Sequence, residues 1–359
     1  MLQIMNIVLM AGGGGTRLWP LSRQKLPKQF LAFDGKRSLL EMAYDRANAL
    51  VDDDHIFVAT ASAYQEKTEE LLPQVAKEHL FYEPEKRDTT AAFASVALRL
   101  MQMNKGSEPT IFMWCDHVFT REEAFIADLK KIAGILTTDP QALVIVGHTP
   151  LSPATAFGYF EVGDKIGAEP NVRTVKRFTE KPDEATAAKF LAQGNYFWNL
   201  GYFSLTPEHL IYELRLRAPE ISAALDGFSA ALKGGDTQKA DVAYGEFPKM
   251  ALEYTFVEKT EHIIAVTGDY GWSDVGNWEA VSEVFGVEGD HMPAGHHIHV
   301  DSKNNYIYNT TNKAVSLLGM EDTVAVVTED AVLVTHKGSS ARVKDVVKKL
   351  EEEGKTEFL

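Results

Sequence analysis

The chain has 359 residues, of which 45% are hydrophobic and 24% charged; this excludes a disordered chain, a collagen and a coiled coil, and suggests two domains or one large domain with an appendage. Acidic residues outnumber basic ones by 51 to 36, a net charge of −15, so general nucleic-acid binding is disfavoured, while a local cluster of cations still suits a small anion. The single cysteine, Cys115, excludes an intrachain disulfide, which fits a reducing cytoplasm.

The run from Ile4 to Met10 is apolar, lacks a basic leader and leads straight into glycines, so it reads as a buried first strand rather than a targeting segment. No apolar run approaches the roughly 18 residues of a membrane span, and we expect a cytoplasmic protein without a membrane partner. Leu40, Ala43, Ala47 and Leu50 predict a helix over 39–50. A strand over 55–60, a helix over 64–75, a long Ala- and Leu-rich helix over 89–103, a strand over 110–114, a helix over 122–136 and an apolar strand over 142–147 follow. Strands apolar on both faces and separated by helices imply an α/β, mostly parallel sheet. The pattern changes after about residue 285: residues 286–299 read as a loop, and β-like pieces over 306–308, 314–318, 323–327 and 331–335 recur every eight to ten residues. That spacing suits a β-sandwich or a small β-solenoid. A helix over 341–353, with Val343, Val346, Val347 and Leu350 on one side, closes the chain. We divide the sequence into domains of residues 1–288 and 289–359.

The first strand runs into Ala11-Gly12-Gly13-Gly14-Gly15-Thr16-Arg17-Leu18-Trp19-Pro20-Leu21-Ser22, followed by Pro27-Lys28-Gln29-Phe30. Glycines after a strand let backbone amides approach phosphate oxygens. The P-loop ending Gly-Lys-Ser/Thr is missing, and Arg17 stands where the dinucleotide fingerprint needs its third glycine. What remains is a glycine loop with two cations, Arg17 and Lys28, a set suited to a polyphosphate. These residues resemble the signature of the sugar-1-phosphate nucleotidyltransferases, and Leu-Trp-Pro-Leu-Ser-Arg with Lys-Gln-Phe resembles the guanylyltransferases acting on mannose 1-phosphate. The resemblance is strong over residues 5–285. It implies a Rossmann-like, GT-A-like nucleotidyltransferase sheet, with the C-terminal β segment similar to the short left-handed β-helix attached to such enzymes.

Further segments carry the same resemblance. Asp116, in Trp114-Cys115-Asp116-His117, follows a strand, where open α/β sheets bind ligands; alone it reads as well as a turn or cap. Asp274, in Gly271-Trp272-Ser273-Asp274-Val275-Gly276, reads alone as part of a Trp/Gly-rich turn. By resemblance the two aspartates ligate catalytic Mg²⁺, which favours carboxylates shared with substrate phosphates; they must therefore converge. Arg177-Phe178-Thr179-Glu180-Lys181-Pro182 resembles the motif in which Lys181 holds the sugar phosphate and Glu180 accepts from sugar hydroxyls. Gly158, Tyr159 and Asn199, in Phe157-Gly158-Tyr159-Phe160-Glu161 and Trp198-Asn199-Leu200-Gly201, resemble sugar-site segments. Glu253 stands where the family has Asp, as a sugar contact. Glu83, Asp88 and Thr89, in Glu83-Pro84-Glu85-Lys86-Arg87-Asp88-Thr89, resemble the segment beside the nucleotide, with Asp88 replacing the usual Asn; Asp88 or Thr89 also reads as a cap of the following helix. The histidines His291, His296, His297 and His299 lack cysteines and metalloprotease spacing, and we read them as a solvated interdomain loop.

The resemblance thus implies transfer of GMP from GTP to α-D-mannose 1-phosphate, with Mg²⁺ as cofactor, glycines 12–15 with Ala11 and Thr16 around the triphosphate, and Arg17, Lys28 and Lys181 as the working cations. The alternatives are another sugar phosphate, such as a heptose or glucose 1-phosphate, or a catalytically silent GDP-mannose-binding subunit. Longer relatives carry an isomerase domain, for which 359 residues leave no room, so no isomerase activity is expected. A homodimer is expected, with the β segment serving dimer contact or domain packing.

Overall fold

The computed structural model describes residues 5–13, 15–286 and 296–359. They form two compact units, each built from several chain segments. The first takes the described residues up to Met10, Tyr44–Trp114 and Arg121–Gly271; the second takes Ala11–Ala43, Cys115–Thr120 and Trp272–Leu359.

In chain order the strands up to residue 273 are β1 (Asn6–Met10), β2 (Ile56–Ala61), β3 (Leu80–Glu83), β4 (Thr110–Trp114), β5 (Val118–Phe119), β6 (Leu143–His148), β7 (Tyr159–Lys165), β8 (Val172–Thr179), β9 (Tyr196–Leu205), β10 (Ile263–Gly268) and β11 (Trp272–Ser273). Nine of them make the sheet of the first unit, in the order β3-β2-β1-β4-β9-β6-β10-β8-β7. The strands β3, β2, β1 and β4 run parallel, as do β6 and β10. β9 lies antiparallel between β4 and β6, and β8 is antiparallel to both β10 and β7. Every residue of β1 is buried, which explains its apolar sequence: a strand central in a parallel sheet meets water on neither face. Helix Asp88–Gln102 is buried over most of its surface. Its Phe93 stacks on Phe112 at 4.4 Å, in a core shared with Val8, Phe57, Ile145 and Phe203.

The second unit has its own core. Leu18, Trp19, Leu31 and Phe33, from the chain after the glycine loop, pack with Trp278, Tyr306, Tyr308, Val324, Val343 and Val347. Polar bonds fix this packing: the Trp278 indole N–H donates to the Trp19 carbonyl at 2.9 Å, and the Tyr308 hydroxyl donates to the Ala32 carbonyl at 3.2 Å. Arg23 pairs with Asp330 at 2.9 Å. The C-terminal strands β12 (His297–Val300), β13 (Tyr306–Asn309), β14 (Val315–Leu318), β15 (Thr323–Val327) and β16 (Val332–His336) form parallel ladders β12–β14 and β13–β15, and β16 turns back antiparallel on β15. Partners in the parallel ladders are 18 residues apart, an offset repeated by the bonds from Met320 to Ser302 and from Thr323 to Asn305. The β-solenoid option therefore fits the pairing: the strands recur at the expected eight-to-ten-residue spacing, and each coil of 18 residues holds two of them. The loop expected over 286–299 ends earlier: His297 and His299 lie in a strand. His291 lies outside the described residues. The closing helix spans Val343–Glu352, with Val343 and Val347 buried.

Candidate active site

The glycine loop belongs to the second unit. Gly12 and Gly13 are exposed, and a side chain at either would meet nothing within 4 Å. Gly15 differs. Its φ is +55°, and a Cβ there would lie 2.8 Å from Lys28 Cβ, 2.9 Å from Ser22 Oγ and 3.1 Å from the Lys28 nitrogen. Both the left-handed backbone and the close approach demand glycine. Gly14 lies outside the described residues. Ala11 is buried, and its carbonyl accepts from the Gln29 side-chain amide at 2.8 Å, which ties the start of the loop to the short 3₁₀ turn Lys28–Phe30. Thr16 and Arg17 begin the 3₁₀ turn Thr16–Leu18.

The distant aspartates converge through a short ladder. β5 and β11 pair antiparallel, with Val118 opposite Ser273 and Phe119 opposite Trp272, which brings the flanking Asp116 and Asp274 segments side by side. Both residues line a cavity of about 280 Å³, together with Gly12, Gly13, Gly15, Arg17, Lys28 and Gln29. Lys28 is 7% exposed. Its ammonium meets Asp116 Oδ2 at 2.8 Å and donates to the Asp274 carbonyl at 2.6 Å. Burial alone would push the Asp116 carboxyl up; the charges of Lys28 and His117 and the Lys28 hydrogen bond hold it below the usual carboxylate range. Asp274 is set by Gly276, whose N–H donates to Oδ1 at 3.1 Å and whose missing Cβ would lie 2.6 Å from Oδ2.

Two carboxylates facing one cavity are hard oxygen donors. They fit magnesium, which takes one or two carboxylates and completes its shell with water and phosphate oxygens. Among the described residues no group of three or more His, Cys, Asp or Glu side chains gathers into a closed metal site.

The remaining singled-out residues lie in the first unit. Gly158 lets Glu180 sit against the backbone: a Cβ at 158 would lie 2.5 Å from Glu180 Oε2 and 3.2 Å from Phe178 Cζ. The Gly158 carbonyl accepts from the Asn199 N–H at 2.8 Å, and Asn199 Oδ1 accepts from the Gly201 N–H at 3.2 Å. Lys181 bonds Glu180 Oε1 at 2.7 Å; the Glu180 side chain is 6% exposed and that of Lys181 58%. Desolvation opposes the Lys181 charge, but the bond to Glu180 and the charges of Glu180 and Glu253 push its pKa up. Burial pushes the Glu253 carboxyl up, and the Glu180 and Asp88 charges add to this against the opposing pull of Lys181. Glu180, Lys181, Glu253 and Asp88 thus form one electrostatic cluster.

Tyr159 is fully buried, and its hydroxyl donates to the Ala154 carbonyl at 2.9 Å; its ring packs in the core beside Phe190. Glu83 accepts from the Tyr244 hydroxyl at 2.6 Å, and burial pushes its carboxyl up. The capping expectation needs correction. Thr89 Oγ1 accepts from the Leu252 N–H at 2.8 Å, pinning the segment that carries Glu253. Asp88 has φ +65° and accepts from the adjacent Thr89 N–H, so no side chain makes the usual cap bond to this helix. Sequence reasoning missed Gln29, Gly276 and Tyr244. The first two sit inside quoted motifs, while Tyr244 is far from Glu83 in sequence and carried no signal.

No described helix is long and apolar enough to cross a membrane. Residues 6–288 match the family model described as nucleotidyl transferase, and residues 295–350 match a MannoseP isomerase/GMP-like beta-helix domain. The chain is 35% identical, over 98% of its length, to the xanthan biosynthesis protein XanB of Xanthomonas campestris pv. campestris, covering 74% of that protein. It is 33% identical to the mannose-1-phosphate guanylyltransferase ManC of Salmonella typhimurium, again over 98% of this chain and 74% of the other. A crystal structure from Thermus thermophilus, described as a mannose-1-phosphate geranyltransferase, aligns with a TM-score of 0.83 at 30% identity, over 97% of this chain and 99% of that one.

Proposed function

Because the chain belongs to the nucleotidyl transferase family, we propose that it transfers GMP from GTP to α-D-mannose 1-phosphate, giving GDP-mannose and pyrophosphate. The observation that carries the reading is the single cavity lined by the glycine loop, Arg17, Lys28, Asp116 and Asp274. The choice of mannose and guanine is supported by the name of the Salmonella relative.

In this reaction a phosphate oxygen of the sugar phosphate forms a bond to the α-phosphorus of GTP, and the bond from that phosphorus to the β-phosphate bridging oxygen breaks. The nucleophile is already anionic, so no strong general base is required. The protein's part is to hold two anions in line and neutralise their charge. Loop amides and Arg17 bind the triphosphate, with Lys28 directed at its α-phosphate. Lys181 holds the sugar phosphate, and Glu180, Asn199 and Glu253 accept from its hydroxyls. Glu83, Asp88 and Thr89 line the nucleoside end. Asp116 and Asp274 would hold magnesium, which when bound supplies charge neutralisation to the reacting phosphates. The same proposal has the enzyme acting as a homodimer in the cytoplasm.

Pyrophosphate release measured with each of the four common NTPs, mannose 1-phosphate and Mg²⁺ tests the reading. Release with GTP well above the other three is expected. Faster release with another NTP or another sugar 1-phosphate, or none with any pair, overturns it.

A further inference from the structure

The metal reading leaves one contact unexplained. Lys28 is a phosphate-directed cation in that reading, yet its ammonium is already committed to the two metal-ligand segments. It lies 2.8 Å from Asp116 Oδ2 and 2.6 Å from the Asp274 carbonyl oxygen, at a side-chain exposure of 9%. Its buried stem runs against Gly15, where no Cβ fits, so the ammonium is delivered to this spot by the fold.

We propose that Lys28 is a built-in counterion of the metal site: its ammonium holds Asp116 and the Asp274 segment together, a divalent cation must displace it from Asp116, and the incoming polyphosphate receives it. This inference rests on the assignment of Asp116 and Asp274 as metal ligands.

The charges lining the cavity favour this exchange. Arg17 and Lys28 supply two fixed positive charges, Asp116 and Asp274 two negative ones, and the His117 imidazole, 3.9 Å from Asp116 Oδ1, adds to the positive side when protonated, so the excess that follows is a minimum. A divalent cation added alone leaves an excess of two positive charges in a small, partly desolvated space, and it confronts a like charge on the same carboxylate. A polyphosphate removes the excess and offers Lys28 new oxygen acceptors. Metal and polyphosphate therefore assist each other's binding, and the coupling is reciprocal. Lys28 suits the task because an ammonium is a compact point charge on a flexible stem that can change partners, which a planar guanidinium fixed by paired bonds does less readily.

The test uses Mn²⁺ alone, with free Mn²⁺ read by electron paramagnetic resonance. Lys28→Met keeps the stem and removes the charge. It is expected to bind Mn²⁺ at least tenfold more tightly than the native protein, and the added Asp116→Asn exchange is expected to abolish the gain. In the native protein, which needs no substitution, saturating Mn²⁺ is expected to raise the rate at which an amine reagent labels Lys28, read by mass spectrometry. If Lys28→Met binds Mn²⁺ no more tightly while Asp116→Asn weakens binding in both backgrounds, the metal ligand stands and the displacement is wrong. If the double variant binds as tightly as Lys28→Met, the assignment of Asp116 fails and the displacement with it. Unchanged or slower labelling of Lys28 overturns the displacement by itself.

Discussion

Gly15→Ala violates at once both demands that the loop places on this glycine, a left-handed backbone and a close approach. The new methyl must adopt φ near +55° and sit 2.8 Å from Lys28 Cβ and 3.1 Å from the Lys28 nitrogen. An L-residue in the left-handed region costs roughly 1–2 kcal/mol. Forcing an extra carbon into a filled space costs about 1–3 kcal/mol more, because a backbone nitrogen and a Cβ cannot swing aside as a side-chain tip can. The expected loss is therefore about 2–5 kcal/mol. Gly12→Ala is the internal control: its Cβ meets nothing within 4 Å and its backbone is not left-handed, so its loss stays below about 1 kcal/mol. Thermal unfolding followed by near-ultraviolet circular dichroism measures both. A loss of this size lowers the melting temperature by several degrees or more. Equal shifts for the two variants, or a larger shift for Gly12→Ala, would refute the reasoning.

Other substitutions probe the first unit. Gly158→Ala drives a methyl to within 2.5 Å of Glu180 Oε2; under the proposed function it raises KM for the sugar phosphate about tenfold or more, a loss of ~1.4 kcal/mol, and leaves KM for GTP within twofold, as steady-state kinetics would show. Glu253 has a carboxyl pKa raised by burial, so the native fold favours its neutral form; stability from this group is present below the unfolded pKa and is lost as pH rises through the higher folded value. Glu253→Gln should accordingly match the native protein near pH 4 and become the more stable of the two toward pH 7 in urea titrations, and a gap that shrinks with rising pH contradicts this. Tyr244→Phe removes the donor to Glu83 and leaves a buried carboxylate with less support, a cost of about 1–3 kcal/mol; an unchanged denaturation midpoint would show that the bond contributes nothing.

The parallel half of the sheet was legible because its strands are apolar on both faces: the expected strand over 110–114 is β4 itself, and the long helix expected over 89–103 is Asp88–Gln102. The antiparallel insertion of β9 between β4 and β6 was not, since strand order depends on pairings between residues far apart in sequence. The spacing of the C-terminal strands was legible too, but their pairing was not, for a related reason. Local apolar runs announce each strand, but only the partner 18 residues away reveals the repeat. At the site, the glycine loop and both aspartates stood out through motifs, whereas the grip of Lys28 on Asp116 is a tertiary fact without a local trace. Asp88 and Thr89 show the limit of capping rules: Asp88 is the first residue of the helix itself, at φ +65°, and Thr89 spends its hydroxyl on Leu252 instead.

The shared core of the second unit has a practical consequence for protein engineers. Phe33 and Trp278 make edge-to-face contact at 6.3 Å, and Tyr308 closes on both rings. A chimera that trades its C-terminal coils for those of a relative must transplant the matching aromatic surface as well; otherwise the core that holds the chain following the glycine loop opens, and under the proposed function the damage surfaces as poor nucleotide affinity in a region nobody had mutated.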